Sequence, residues 1–210
     1  MKTFLVKIPQ DNSKTAAAFE ELLKQLHETV IGERIAFEIL ATGQNIAFCF
    51  SGSASVCEVV AGQIYGMLPD ADVLEVADPI GSLGKDLDGA SFEIVLRRSD
   101  LYPIKRYQEF QGDSLSGLLS VLSKCSPAET VLMQLVLQTA RDSASHHFRL
   151  NIWKKIDRFF QFFRAKYWFK KGVASTFRDV IDQKVKDRLC RANLRVIALS
   201  EDPDISPRSR

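Results

Sequence analysis

An α+β fold of two tandem βαββαβ modules, the second carrying an inserted basic aromatic helix, is what this sequence predicts. Three observations carry the expectation. Strand-period and helix-period segments alternate as β-α-β-β-α-β over the first 80 or so residues. The pattern starts again at SFEIVLRR after a loop rich in Gly and Asp, PIGSLGKDLDG. The stretch 151–172, NIWKKIDRFFQFFRAKYWFKKG, is then surplus to the second set of elements.

The elements follow in order. Phe4, Val6 and Ile8 alternate with Leu5 and Lys7 and stop at Pro9, a short buried strand. After the loop DNSK, Ser13 is placed to cap a helix in which Ala17, Phe19, Leu22, Leu23, Leu26 and Val30 recur at helical spacing up to Gly32. RIAFEILA and NIAFCFS are β-rich runs joined through Thr42-Gly43-Gln44, a hairpin signal. A second helix over 53–67 carries Val56, Val59, Val60 and Ile64, and a turn at Leu68-Pro69-Asp70-Ala71 leads into the strand DVLEVA. This is the order of the ferredoxin-like split unit.

In the second half YPIKRYQEF reads as a strand or an extended connection. SLSGLLSVLSK reads as a helix capped by Asp113 or Ser114, and ETVLMQLVLQT as a strand covered on both faces. A helix capped by Ser175 or Thr176 follows, with Phe177, Val180, Ile181, Val185 and Leu189 on one face, and NLRVIALS closes as a strand. The expected domains are a first ferredoxin-like module at 1–80, a linker at 81–90, a second module at 91–200 with the inserted helix at 151–171, and a polar tail at 201–210.

The composition is that of a globular chain, with 46% apolar residues in 210. A net charge of +2 hides an asymmetry: residues 1–140 hold 11 Lys and Arg against 18 Asp and Glu, whereas residues 141–210 hold 17 against 8. An anionic partner would meet the basic part. No run approaches the roughly 18 apolar residues that span a bilayer, and the N-terminal MKTFLVKIPQ lacks the pattern of a signal peptide. Cys49, Cys57, Cys125 and Cys190 are widely spaced, without a CxxC pattern, and indicate reduced thiols.

Catalytic patterns are weak. The pairs Glu20-Glu21 and Asp86/Asp88 read as solvated carboxylates, and the adjacent His146-His147 beside Asp142 would point to opposite faces of a strand. His27 has no legible partner. Gly81 to Asp86, GSLGKD, lacks both the spacing and the Ser or Thr of a P-loop. No catalytic residue, cofactor or metal ligand is expected.

Several of these segments resemble a known family. FLVKIPQDNSKTAAAFEELLKQLHETV, the strands IAFEIL and NIAFCF, and YGMLPDADVLEVAD are similar to the N-terminal, non-motor region of bacterial type IV secretion and conjugative DNA-transfer ATPases of the coupling-protein or HerA/FtsK-like kind. YPIKRYQEFQGDSLSGLLSVLSKCSPAETVLMQLVLQ is similar to the same family's run of YPIK-Y-EF followed by D-L--LL--LSKL. The resemblance covers residues 3–199. It implies a non-catalytic interaction domain that positions or assembles a motor at membrane-associated DNA-transfer machinery, in the cytoplasm or peripherally at the inner face of the membrane. Members of that family continue into a RecA-like motor with a Walker A loop, and neither lies within these 210 residues.

The implied partners are type IV secretion components or the motor domain of the same protein, an anionic membrane surface, nucleic acid, and a second copy of the chain. The candidate contact surface is the 151–172 stretch. Ile152, Ile156, Phe159, Phe163 and Tyr167 form one helical stripe, widened by Trp153, Phe160, Phe162 and Trp168. Trp153, Phe159, Phe160, Phe163, Tyr167 and Trp168 are the membrane- or partner-docking candidates. Lys154, Lys155, Arg158, Arg164, Lys166, Lys170 and Lys171 are the anion-contacting ones. Three readings stand side by side: packing against the second sheet with snorkelling basic stems, docking at an anionic membrane or protein, and nucleic-acid contact by phosphate pairing and aromatic stacking. A stand-alone nucleic-acid-binding protein using the basic C-terminal half is the alternative function.

Overall fold

The computed structural model describes residues 1–14, 16–79, 81, 88–97, 104–105, 107–113, 115–139, 154, 158 and 190–201. Strand β1 (Lys2–Lys7) alternates its side chains, so Phe4 and Val6 point to the helices while Thr3 and Leu5 point away. Helix α1 (Ala16–Thr29) buries Leu22 and Leu26. It ends where Val30 still bonds back to Leu26 (2.9 Å) and Gly32 takes φ +81°, a left-handed conformation that a side chain disfavours.

Strands β2 (Arg34–Thr42) and β3 (Asn45–Gly52) form the expected hairpin. Thr42 pairs with Asn45, and Gly43 has φ +57° while no non-Gly residue among those described has positive φ, the sign pattern of a type II′ turn. Helix α2 (Ala54–Met67) starts at Ser53, whose Oγ accepts the Val56 amide (3.4 Å), and ends where Leu68 bonds to the Ile64 carbonyl (2.7 Å), just before Pro69. Its buried stripe is Val56, Cys57, Val60 and Ile64. Burial stabilises each large aliphatic of this kind by roughly 1.5–3 kcal/mol. β4 (Asp72–Val76) then pairs with β1.

The core is the layer between these helices and the sheet: Leu22, Leu26, Ile35, Phe50, Val56, Val60 and Ile64 with Phe4, Val6 and Phe37 packed around them. Phe50 stacks on Phe4 at 5.4 Å between ring centres, and Phe19 meets Phe37 edge-on at 5.2 Å.

The second half departs from expectation. β5 (Asp88–Ile94), a short 3-10 turn (Tyr107–Glu109), α3 (Ser116–Leu122), β6 (Glu129–Thr139) and β7 (Cys190–Ser200) follow in sequence. The sheet order is β4-β1-β3-β2-β6-β7-β5, with every pairing antiparallel. Two tandem ferredoxin-like modules, the second with an inserted basic aromatic helix, are therefore corrected to one seven-stranded antiparallel sheet, with three α-helices among the described residues. The physical reason lies at β2. Its outer edge, free in an isolated first module, is zipped to β6 from Arg34↔Gln138 to Thr42↔Thr130, so backbone groups that would present an open edge are bonded.

Other differences are local. β5 begins at Asp88, inside the segment read as a linker. The residue before α3 is Leu115, which supplies no side-chain cap, while Asp113 Oδ1 accepts the Leu115 amide (2.9 Å) one turn position earlier. The expected helices at 151–171 and after Ser175 lie outside the described residues, apart from Lys154 and Arg158, which have helical backbone and exposed side chains. Among the described residues no helix is long and apolar enough to cross a membrane.

Candidate functional site

Because Ile35 and Phe37 point into the helix-covered core, the alternate residues of β2 emerge on the other face of the sheet. Strand register then lines them up with their neighbours in rows. Arg34, Gln138 and Arg191 form one row. Ala36, Val136 and Asn193 form the next, and Glu38, Gln134, Arg195 and Glu93 the third. Four strands from both halves of the chain thus build one polar surface.

The third row holds a bonded relay. Glu38 and Gln134 are 5% and 4% exposed. The Ser51 hydroxyl donates to Glu38 Oε1 (2.8 Å), the Gln134 amide donates to the same oxygen, and Gln134 Oε1 in turn accepts from Arg195 Nε (2.5 Å). A buried carboxylate is tolerated here because donors replace its lost water, and the amide carries the polarity outward to a guanidinium. Beside Glu38 in register, the Cys49 thiol is pushed up to about 11, first by burial and then by the Glu38 carboxylate.

The first row is anchored differently. Thr139 Oγ1 accepts the Gly32 amide (2.9 Å) and donates to the Val30 carbonyl, and the Gln138 amide donates to the Gly32 carbonyl (3.1 Å). These bonds staple the end of α1 to the end of β6 and so set where β2 starts, and with it Arg34. A cavity of about 450 Å³ lies over the rows, and the residues that line it include Arg34, Gln138 and Arg191 from the first row, Asn193 from the second, and Glu93, Gln134 and Arg195 from the third. Ion pairs among the described residues join Lys2 to Glu75 and Lys24 to Glu20 and Glu21, and neither Arg34 nor Arg191 is paired with a described carboxylate.

The two ends of the sheet differ. At β4 the Tyr65 hydroxyl donates to the Val73 carbonyl and accepts from its amide, 3.3 Å each, which covers backbone of a five-residue edge strand. At β5 Phe92 and Ile94 and the following Val95 and Leu96 are all more than half exposed, Val95 to 76%.

Of the residues singled out from sequence, Trp153, Lys155, Phe159, Phe160, Phe163, Arg164, Lys166, Tyr167, Trp168, Lys170 and Lys171 lie outside the described residues, as do Asp142, His146 and His147. Lys154 and Arg158 are exposed. His27 Nε2 is buried and has no hydrogen-bond partner among the described residues. All four cysteines are free thiols, and no group of three or more His, Cys, Asp or Glu among the described residues is placed to hold a metal ion.

Sequence reasoning passed over the rows. Their signal was there as polar residues four apart in otherwise apolar strands: Arg34 and Glu38, Gln134 and Gln138, Arg191 and Arg195. In a strand that spacing returns to the same face.

Comparison with known proteins returns one family. Residues 5–210 match the domain of unknown function DUF8128. No curated protein and no solved structure matches the chain. With all but its first four residues matched, the chain belongs to the DUF8128 family.

Proposed function

We propose that the chain is a non-catalytic interaction domain of a type IV secretion or conjugative DNA-transfer ATPase, which positions or assembles the motor at membrane-associated machinery on the cytoplasmic side. The resemblance of residues 3–199 to the non-motor region of those ATPases supplies the setting. The single structural observation that supports an interaction role is the asymmetry of the sheet ends. The β4 edge is short and covered by Tyr65, whereas β5 ends the sheet with Phe92, Ile94, Val95 and Leu96 exposed. An exposed apolar edge strand is a template for an added strand, and a chain that keeps one exposed gains by having a partner for it. The occupant in this reading is an extended segment of a secretion component.

Two experiments test it. The native reading frame past codon 210 should encode a RecA-like motor with a GxxxxGK[ST] loop. A stop codon with no motor encoded alongside overturns the assignment. In the native host, the double substitution Phe92→Lys and Ile94→Lys should reduce DNA transfer at least about tenfold while the purified chain keeps its melting temperature, since both side chains are already more than half exposed. Unchanged transfer would remove β5 as the docking edge.

A further inference from the structure

We propose that the cavity on the sheet face remote from α1 and α2 binds a small phosphate-bearing ligand, with Arg34 and Arg191 as its anion contacts. This goes beyond the docking role of β5 and rests on different residues.

Charge is segregated between the rows that floor the cavity. In the third row, Glu38 is bonded by Ser51 and Gln134, Gln134 is bonded by Arg195, and Glu93 stands across from Arg195 in register. That row holds two carboxylates against one guanidinium, so the Arg195 charge already has acidic neighbours within it. In the first row Arg34 and Arg191 flank Gln138, and no described carboxylate pairs with either guanidinium. Like charges on one sheet face repel, here across the intervening β6, and an anion held between them relieves the repulsion. Two inter-strand spacings separate the two arginine backbones, about 10 Å. That is a span across which two long side chains converge on one di- or triphosphate group.

The chemistry of the groups selects the ligand. A guanidinium offers a planar fork of donors that matches phosphate oxygens, and Arg34 and Arg191 present two such forks with the Gln138 and Asn193 amides between and beside them. The cavity volume of about 450 Å³ falls in the range of roughly 300–1,000 Å³ usual for small-molecule sites. That volume accommodates a nucleotide-sized ligand. The first row is also the rigid end of the surface, because Gly32 is bonded on both sides to Thr139 and Gln138.

Isothermal titration of the full chain with inorganic pyrophosphate and with ADP tests the proposal, with Arg34→Gln, Arg191→Gln and Lys124→Gln compared with the parent. Binding of either probe by the parent at micromolar to low millimolar concentration is expected. Each arginine substitution should weaken it about tenfold or more, and Lys124→Gln, which is exposed and outside the cavity, should leave it unchanged. Thermal melting of each variant shows that the fold is retained, as expected for residues exposed at 34 and 191. Equal binding by parent and arginine variants, or no binding by the parent, overturns the site. A single-stranded oligonucleotide that binds more tightly than both small probes and loses affinity with the same two substitutions overturns the small-ligand class in favour of nucleic acid.

Discussion

The Ser51 hydroxyl on β3 donates to Oε1 of Glu38 on β2 over 2.8 Å, and both side chains are buried to 5% exposure or less. Since the Gln134 amide on β6 donates to the same oxygen, this one carboxylate is bonded from strands on either side of its own. Replacing Glu38 by Leu removes the acceptor for two buried donors and should cost about 2–4 kcal/mol in urea unfolding. The paired substitution Glu38→Leu with Ser51→Ala should cost less than the sum of the two singles, because the orphaned hydroxyl disappears with its acceptor. Additive losses would mean that the bond contributes nothing.

Cys49 makes the fold sensitive to alkali. In the unfolded chain a thiol of ordinary pKa 9.0 ionises above that value, while in the fold burial and Glu38 hold the Cys49 thiol protonated up to about 11. The folded state therefore binds more protons than the unfolded state between those limits, and stability falls as pH rises from 9 to 11. Cys49→Ala should flatten that part of the stability profile measured by urea titration. At pH 8 a thiol reagent should label Cys49 in the native protein far more slowly than in urea.

Gly32 holds the backbone turn on which Arg34 depends. At φ +81° an alanine methyl meets the carbonyl of its own chain, so Gly32→Ala should destabilise by about 1–2 kcal/mol in thermal or urea unfolding. Gly62→Ala is the matched control. Gly62 lies within α2, where an added methyl meets nothing within 4 Å, and the substitution should be neutral or stabilising.

A single sheet predicts a single unfolding event. Two tandem modules joined by a linker would unfold in separable steps, but here β6 is bonded to β2 along its whole length and to β7 on the other side. Far-UV circular dichroism and the exchange of β1 and β7 amides should report coincident transitions in urea. A Phe50→Ala substitution in the first half, expected to cost about 3–5 kcal/mol, should lower the midpoint of β7 by as much as that of β1. A shift confined to the first half would divide the chain into independent units.

Local elements were legible in the residues because their causes are local. Ser53 with Val56, Val60 and Ile64 specifies α2 through a cap and a helical stripe. Thr42-Gly43-Gln44 specifies a turn through the one residue that tolerates positive φ. The apolar run at 129–139 likewise specified a strand, and the wide spacing of the cysteines indicated free thiols. Which strand β6 joins was not legible. A period of two assigns Gln134 and Gln138 to one face but says nothing of which edge their backbone will bond, and the energy of that pairing comes from residues nearly a hundred positions away. Tertiary structure alone decided that β2 is an interior strand. It alone set Arg34, Gln138 and Arg191 side by side, because alignment across strands depends on the register of three segments at once and no one of them carries it.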